Sequence, residues 1–160
     1  MPSEGKTRRY DVHLDDLKVG DRLESGGYTL TEADIIDFAL KYDPQPFHID
    51  AEAAKHTPFG GVIASGFQTL ALGFRVLYAT GWLTSANLGG IGIDELRWLK
   101  PVRPGDTLRT VTIVKEITPS KSKPDRGVLK HEVIVLNQRG EQVLTGIFII
   151  VAKRRRAALH

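Results

Sequence analysis

The chain has 160 residues, a formal net charge of +3, 41% hydrophobic residues and no cysteine. This length favours one domain with a sizeable core, and the lack of cysteine excludes disulfides, thiolate catalysis and cysteine-ligated zinc. No apolar run approaches the ~20 residues that span a bilayer, and the charged start MPSEGKTRRY lacks the apolar stretch of a secretory signal, so we expect a cytoplasmic protein without a membrane partner.

The beginning of the chain is predicted to form a strand followed by a helix. HLDDLKVGDRLESGGYTLT contains strand-like residues and a bend or bulge at Gly26-Gly27. Thr31 is placed to cap a helix, and Ile35, Phe38 and Ala39 have the spacing of its buried face. Because proline disfavours helical geometry in the residue before it, Pro44 predicts that this helix ends near Tyr42. A short helical turn, from Asp50 to His56 with Asp50 as its cap, is predicted next.

The stretch YDPQPFHID, residues 42–50, holds an aspartate and a histidine on either side of two prolines. A stiff backbone suits two side chains that must converge on one working geometry. A carboxylate beside an imidazole can hold a water molecule from two sides and move its proton. The spacing of Asp43 and His48 is also compatible with a turn cap and a packed loop histidine.

A long apolar segment follows, which begins with FGGVIASG and runs from Val62 to Tyr78. It is too long for one strand and apolar on all sides, which predicts a long, buried central helix. Gly66 and Gly73 are seven residues apart and fall on nearly the same face, where another backbone can approach closely. The free N–H groups at the start of a helix can polarise a carbonyl oxygen.

The last part of the chain contains four runs rich in Val, Ile and Thr, which predict four strands. NQRG is a hairpin turn that uses Gly140, SKSKPDRG is a longer hairpin loop, and PVRPGD separates the first two runs. The predicted order is strand, helices, a long buried helix and an antiparallel meander. This order predicts an α+β fold in which a curved antiparallel sheet wraps the central helix. We interpret residues 1–160 as one domain with a core at about 15–152 and mobile ends.

Three stretches in this order, DPQPFHID, FGGVIASG and LRWLKPVRPGDTL, resemble the MaoC-like dehydratases. This family has the hot-dog fold and includes (R)-specific enoyl-CoA hydratases. The resemblance covers roughly residues 15–152 and implies a single hot-dog domain that pairs as a homodimer, possibly within a higher oligomer. It implies an enzyme of fatty acid metabolism that adds water across the C2=C3 bond of a trans-2-enoyl-CoA, giving an (R)-3-hydroxyacyl-CoA, or removes water in reverse.

The resemblance also implies roles for individual residues. Asp43 would be the general base, and His48 would orient the water or relay its proton. The Gly66 N–H would polarise the thioester carbonyl. The remaining substrate-binding candidates in these motifs are Ser65, Gln45, Phe59 and Gly60. Neither a metal nor a separate cofactor is implied, because coenzyme A is part of the substrate.

The chain departs from the family pattern at two positions. Gln45 stands where the family usually has Asn, and Phe47 replaces a smaller aliphatic residue, so the preferred acyl chain stays open. A hot-dog thioesterase is one alternative, although such enzymes usually carry an acid on the central helix and 62–78 has none. A non-catalytic acyl-CoA-binding subunit is the other, although both dyad residues are present.

The cations are weaker signals than the dyad. Lys100 and Arg103, near Arg97, are candidates for contact with the CoA phosphates, and a solvated strand end is equally compatible with them. The run KRRR from Lys153 could bind nucleic acid, but no nucleic-acid-binding motif accompanies it. We therefore interpret it as a solvated tail and expect no nucleic-acid partner. His131, inside a strand run, is interpreted as structural.

Overall fold

The computed structural model describes residues 11–155, and the predictions for the first ten and last five residues lie outside this range. A short 3-10 helix at Leu14–Asp16 comes first. The helices are α1 Glu32–Tyr42, α2 Pro46–Ile49, α3 Ala51–Ala54 and α4 Gly66–Tyr78. The strands are β1 Arg22–Glu24, β2 Tyr28–Thr29, β3 Asn87–Trp98, β4 Thr107–Pro119, β5 Arg126–Leu136 and β6 Gln142–Lys153. The α+β fold and the four long strands are confirmed.

The six strands form one antiparallel sheet in the order β1-β4-β5-β6-β3, and β2 also pairs with β4. The strands β4, β5 and β6 are a meander, and Gly140 has the predicted positive φ in the turn before β6. The prediction that all four long strands form the meander is wrong, because β3 pairs with β6 and not with β4. β3 is consequently an edge strand, and the connection from it to β4 crosses the sheet.

The helix α1 begins and ends as its sequence predicts. Thr31 accepts a hydrogen bond from the Asp34 N–H, and the Asp34 side chain accepts one from the Thr31 N–H. This reciprocal pair satisfies two amides that the first turn leaves free. Ile35 and Ala39 are fully buried, and Phe38 is half-buried. The helix ends at Tyr42, so Asp43 is the first residue after it.

The central helix α4 is shorter and more exposed than its sequence predicts. It begins at Gly66, because residues 62–65 are not helical and the Ile63 and Ala64 N–H groups bond the carbonyls of Phe47 and Val102. The side chains at 67, 71 and 75 are exposed, so one face of α4 is open in this chain.

The predicted close approach at Gly73 is confirmed, because a Cβ atom there would lie 2.7 Å from Val135 Cγ2 on β5. The Gly73 carbonyl also accepts a hydrogen bond from Thr110 on β4.

The sheet buries its helix-facing side chains in two clusters. Alternate residues of β5 and β6 point to this side, which gives both strands a regular buried and half-buried alternation. One cluster lies between α1, α4 and the sheet and contains Phe148. The second contains Leu14, Leu77 and Trp82. The sheet therefore wraps α4, as the hot-dog arrangement requires.

The described part of the C-terminal cationic run is not a free tail. Arg154 binds Asp15, and Arg155 makes ion pairs with Asp11 and Asp16. These contacts fasten the last described residues to the segment before β1. The two arginine side chains remain partly exposed, as a solvated tail predicts, but they are held in place by these ion pairs. Within residues 11–155, no helix is both long and apolar enough to cross a membrane.

Candidate active site

A pocket of about 440 Å³ lies where the end of α1, the start of α4 and the chain after β3 meet. Six of the predicted site residues form part of its wall: Asp43, Gln45, His48, Phe59, Gly66 and Lys100. The motifs that are separated in sequence therefore meet around one cavity.

The backbone after α1 places the acid and the histidine on the same side of the pocket. Asp43 leaves helical geometry with φ −156° and ψ 68°, and its N–H still bonds the Ala39 carbonyl. Pro46 then begins α2, where proline is well tolerated because the first helical residue needs no amide bond. The segment predicted as a stiff loop thus contains one helical turn. This turn carries His48 into the protein, where only 4% of the residue is exposed.

The Asp43 and His48 side chains face each other across a short gap. His48 Nε2 lies 3.3 Å from Asp43 Oδ2, and His48 Nδ1 lies 2.6 Å from the Ile63 carbonyl oxygen. A carbonyl only accepts hydrogen bonds, so Nδ1 carries the hydrogen. In the neutral imidazole, Nε2 then has a lone pair directed toward a carboxylate. A water molecule in the pocket can donate one hydrogen to each of these two acceptors.

Two further side chains hold the Asp43 carboxylate. Gln45 Nε2 donates to Oδ1 at 2.7 Å, and Ser65 Oγ donates to Oδ2 at 2.7 Å. Desolvation raises the pKa of Asp43, but the hydrogen bonds from Gln45 and Ser65, together with the positive charge that His48 carries when it is protonated, lower the pKa below its ordinary value. Asp43 is therefore ionised at neutral pH and fixed in orientation. Gln45, with one more methylene than the Asn usual in the family, still reaches the acid.

Ser65 joins the acid to the start of α4. Its hydroxyl oxygen accepts from the Phe67 N–H at 3.2 Å while the hydroxyl hydrogen goes to Asp43. Gly66 is the first residue of the helix, so its N–H has no partner within the helix. Gly66 lines the pocket, and a Cβ atom there would overlap the Trp98 indole. The site therefore requires glycine at this position if Trp98 is to stay in place.

Replacing Ser65 by alanine should raise the pKa of Asp43, because one of the hydrogen bonds that favour its carboxylate is lost. The folded protein should also lose about 1 kcal/mol of stability with the helix cap. The pKa can be followed by NMR titration of the Asp43 carboxyl carbon. Thr31→Ala is the matched control, since it removes a similar cap from α1 without touching Asp43. An unchanged Asp43 pKa in Ser65→Ala would contradict this account.

Three predicted site residues do not form the site as expected. Gly60 has φ +70° in a turn well before α4 and is not in the pocket wall, because residues 62–65 separate it from the helix. Arg103 is also outside the wall, and its guanidinium donates to the Phe59 carbonyl at 2.7 Å. Lys100 lines the pocket, but its ammonium binds Glu141. Hydrogen bonds from Lys100, Arg139 and Asn137 lower the pKa of Glu141 to about 2.

Sequence reasoning missed several residues of the pocket wall. Thr69 lies one turn into α4, and Phe67 packs edge-on against Trp98 with ring centroids 5.9 Å apart. Trp98, Leu99 and Val102 come from LRWLKPV, whose resemblance to the family pattern was a signal that the segment belongs to the site. Among residues 11–155, no group of three or more His, Asp or Glu side chains is arranged to hold a metal ion.

The wrapped helix and curved sheet are the hot-dog fold, and an Asp–His pair lies at the start of the wrapped helix. Residues 17–136 match the family described as MaoC like domain. The chain belongs to the MaoC-like dehydratase family, as its motifs predict.

Three relatives illustrate the range of this similarity. The uncharacterized protein YdeM of Bacillus subtilis is 31% identical over 143 residues, which cover 89% of this chain and 100% of YdeM. An (R)-specific enoyl-CoA hydratase of Rhodospirillum rubrum is 30% identical over 116 residues, covering 68% of this chain and 74% of that protein. The crystal structure of a MaoC-like dehydratase from Rhodospirillum rubrum is 46% identical, with a TM-score of 0.85, and the match covers 91% of this chain and 99% of that one.

Proposed function

We propose that the protein is an acyl-CoA hydratase/dehydratase of fatty acid metabolism, which interconverts a trans-2-enoyl-CoA and an (R)-3-hydroxyacyl-CoA. The observation that carries the proposal is the Asp43–His48 pair, two hydrogen-bond acceptors 3.3 Å apart in a largely apolar pocket. The 30% identity to an (R)-specific enoyl-CoA hydratase supports it.

In the hydration direction, Asp43 acts as the general base. A water molecule that donates to Asp43 Oδ2 and to His48 Nε2 has its oxygen lone pairs free for attack on C3. Asp43 takes one proton as the C3–O bond forms, while His48 holds the water in place. The electron pair of the C2=C3 bond moves toward the thioester carbonyl, and C2 then receives the proton that Asp43 removed. The net change is the addition of one water molecule.

The Gly66 N–H acts on the developing negative charge. In the intermediate the thioester oxygen carries enolate character, which a fixed N–H donor at a helix start stabilises. Gly66 shares the pocket wall with Asp43 and His48, so one substrate can meet all three groups. Ser65, Gln45 and Phe59 support this site: the first two hold Asp43, and Phe59 provides apolar surface beside Phe47, with ring centroids 5.5 Å apart.

The coenzyme A part of the bound substrate extends out of the pocket through its exposed mouth, beside Lys100. The ammonium of Lys100 can bind a phosphate oxygen in place of Glu141. The Arg103 guanidinium, in contrast, already donates a hydrogen bond to the Phe59 carbonyl. We further propose that the protein works as a homodimer, possibly within a higher oligomer, and without a metal or separate cofactor.

The proposal is tested by following absorbance at the enoyl-thioester band with trans-2-enoyl-CoAs of increasing length. We expect the band to fall and chiral analysis to identify the (R)-3-hydroxyacyl-CoA. A parallel assay with a thiol reagent separates this reaction from thioester cleavage, which α4 does not favour because it contains no Asp or Glu. Release of free CoA would instead indicate that the protein is a thioesterase. Tight binding of CoA esters without turnover would indicate a non-catalytic acyl-CoA-binding subunit.

A further inference from the structure

The His48 imidazole has to be held in place by groups other than Asp43. Its Nδ1 donates to the Ile63 carbonyl, so Nε2 of the neutral ring is an acceptor, and it faces a second acceptor, Asp43 Oδ2, at 3.3 Å. In this form no hydrogen lies between these two atoms, and no hydrogen bond draws Nε2 toward the acid. The Nδ1 hydrogen bond attaches only one corner of the ring. Packing against the ring must therefore fix the direction of Nε2.

The aromatic ring of Phe47 provides this packing. The centroids of the Phe47 and His48 rings lie 4.5 Å apart, and their planes meet at 70°, which is an edge-to-face contact. Phe47 is half-buried and packs against the core cluster between α1, α4 and the sheet. It is not among the residues of the pocket wall. Phe47 thus contacts the histidine of the site without lining the space that the substrate would occupy.

The backbone of Phe47 supports the same histidine through Ile63. The Phe47 carbonyl accepts the Ile63 N–H at 3.0 Å, and the Ile63 carbonyl accepts His48 Nδ1 at 2.6 Å. Two successive residues of α2 therefore hold Ile63, one through its backbone and the other through its side chain. A substitution at position 47 keeps the backbone bond, so it isolates the contribution of the ring.

Phe59 and Arg103 hold the Phe47 ring from further away. The centroids of Phe59 and Phe47 are 5.5 Å apart, with the planes tilted by 52°. The Arg103 guanidinium donates to the Phe59 carbonyl at 2.7 Å, and the Arg103 N–H donates to the buried Asp106 carboxylate at 2.9 Å. A continuous series of contacts consequently runs from the segment before β4 to the imidazole.

We propose that Phe47 is a positioning residue, which holds the His48 ring so that Nε2 is directed at the reacting water. This inference rests on the proposed function. Phe47 is one of the two positions at which the chain departs from the family pattern, so the contact is a feature of this chain. A smaller side chain without a ring would leave a gap between His48 and Phe59, and the imidazole would then have room to turn.

The first test compares the hydration of trans-2-butenoyl-CoA by the wild type and by Phe47→Leu. We expect kcat to fall about three- to tenfold, the rate equivalent of the loss of one aromatic contact. KM should stay unchanged, because Phe47 lies outside the pocket wall. Phe47→Met has a flexible side chain that adapts to irregular gaps. It should fold if the leucine variant does not, and it should lower kcat in the same way.

Phe38→Leu is the matched control. Phe38 is also half-buried, and its ring packs against Tyr42 on α1 with centroids 5.1 Å apart. The same substitution therefore removes an aromatic contact that does not involve the histidine. This variant should keep the kcat of the wild type.

Nitrogen-15 spectra of the histidine rings separate positioning from a merely structural role and need no substrate. At pH 8.5, where an ordinary histidine is neutral, His48 of the wild type should show a protonated Nδ1 and an unprotonated Nε2. His48→Gln identifies the two signals by removing them. In Phe47→Leu and Phe47→Met the two shifts should move toward each other, because a ring that leaves the Ile63 carbonyl can carry its hydrogen on either nitrogen. Phe38→Leu should leave both shifts unchanged.

The outcomes distinguish this inference from the proposed function. If no enoyl-CoA is hydrated but the His48 shifts converge in the Phe47 variants, the proposed reaction fails and the role of Phe47 in holding the ring stands. If the wild type hydrates enoyl-CoA and both Phe47 variants keep its kcat and its His48 shifts, the positioning role fails alone. In an active enzyme, a change in only one of these two measurements, or equal changes in Phe38→Leu, would also overturn it.

Discussion

Asp43→Asn should lower the rate of enoyl-CoA hydration by about 100- to 10,000-fold, the range that loss of a general base produces. The amide cannot take a proton from water, and its charge is lost beside His48. Because the attack on C3 needs this proton transfer, the loss should appear in kcat. The measurement is the fall of the enoyl-thioester band at saturating substrate.

The fold of Asp43→Asn should remain intact, because every hydrogen bond of the carboxylate can be replaced. The asparagine oxygen can occupy the Oδ2 position and accept from Ser65. Its amide nitrogen then lies where Oδ1 was, and the Gln45 amide can turn so that its oxygen accepts. We therefore expect a thermal midpoint close to that of the wild type, which circular dichroism would show.

Asp37→Asn is the control for the loss of one negative charge. Asp37 lies on the exposed face of α1, six residues before Asp43, and pairs with Lys41 at 3.1 Å. An exposed pair of this kind contributes little stability, and this variant should keep full activity. If Asp43→Asn kept more than a tenth of the wild-type rate while Asp37→Asn behaved as expected, Asp43 would not be the base.

The local features of the fold were predictable because a few neighbouring residues determine them. Thr31 and Asp34 form the start of α1, and Pro44 ends it, as the sequence indicates. The position of β3 was not predictable in the same way. Its partner β6 lies some fifty residues further along the chain, and the packing of the whole sheet selects that pairing over the nearer β4.

The start of α4 was misplaced for a related reason. Residues 62–65 are as apolar as the helix that follows, so hydrophobicity alone continues the helix backward. Their backbone amides bond Phe47 and Val102, and these partners exist only in the folded chain. The same interaction network supplies the Ile63 carbonyl that fixes the His48 tautomer. The sequence therefore indicated which residues meet at the site, but the fold determines which atom of each is available.

Acidification from pH 7 to pH 5 should cost the folded protein about 2 kcal/mol through one residue, His131. This residue is fully buried on β5. Thr112 donates its hydroxyl hydrogen to the Glu132 carbonyl, so its oxygen accepts from His131 Nδ1 at 2.7 Å. Nε2 is left unprotonated and has no hydrogen-bond partner within the described chain. The ring edges of Trp82 and Phe148 pack around it.

Burial without a partner for the charge lowers the pKa of His131 from 6.5 to about 4. The neutral form is therefore favoured in the folded state, whereas the unfolded chain takes up a proton near pH 6.5. The stabilisation is complete above pH 6.5 and is lost as the pH falls toward 4, to a limit of about 3 kcal/mol. Below pH 4 both states are protonated, and this residue causes no further loss.

Urea unfolding at pH 7 and pH 5, followed by tryptophan fluorescence, measures this loss. His131→Leu keeps a side chain of similar size and leaves Thr112 bonded to Glu132, so the difference between the two pH values should shrink by about 2 kcal/mol. His56→Gln is the control, because His56 is exposed after α3 and its replacement should leave the difference unchanged. If the free energy of unfolding fell by the same amount between pH 7 and pH 5 in the wild type and in His131→Leu, other groups would cause the pH dependence. His131 would then take up a proton as readily in the folded protein as in the unfolded chain.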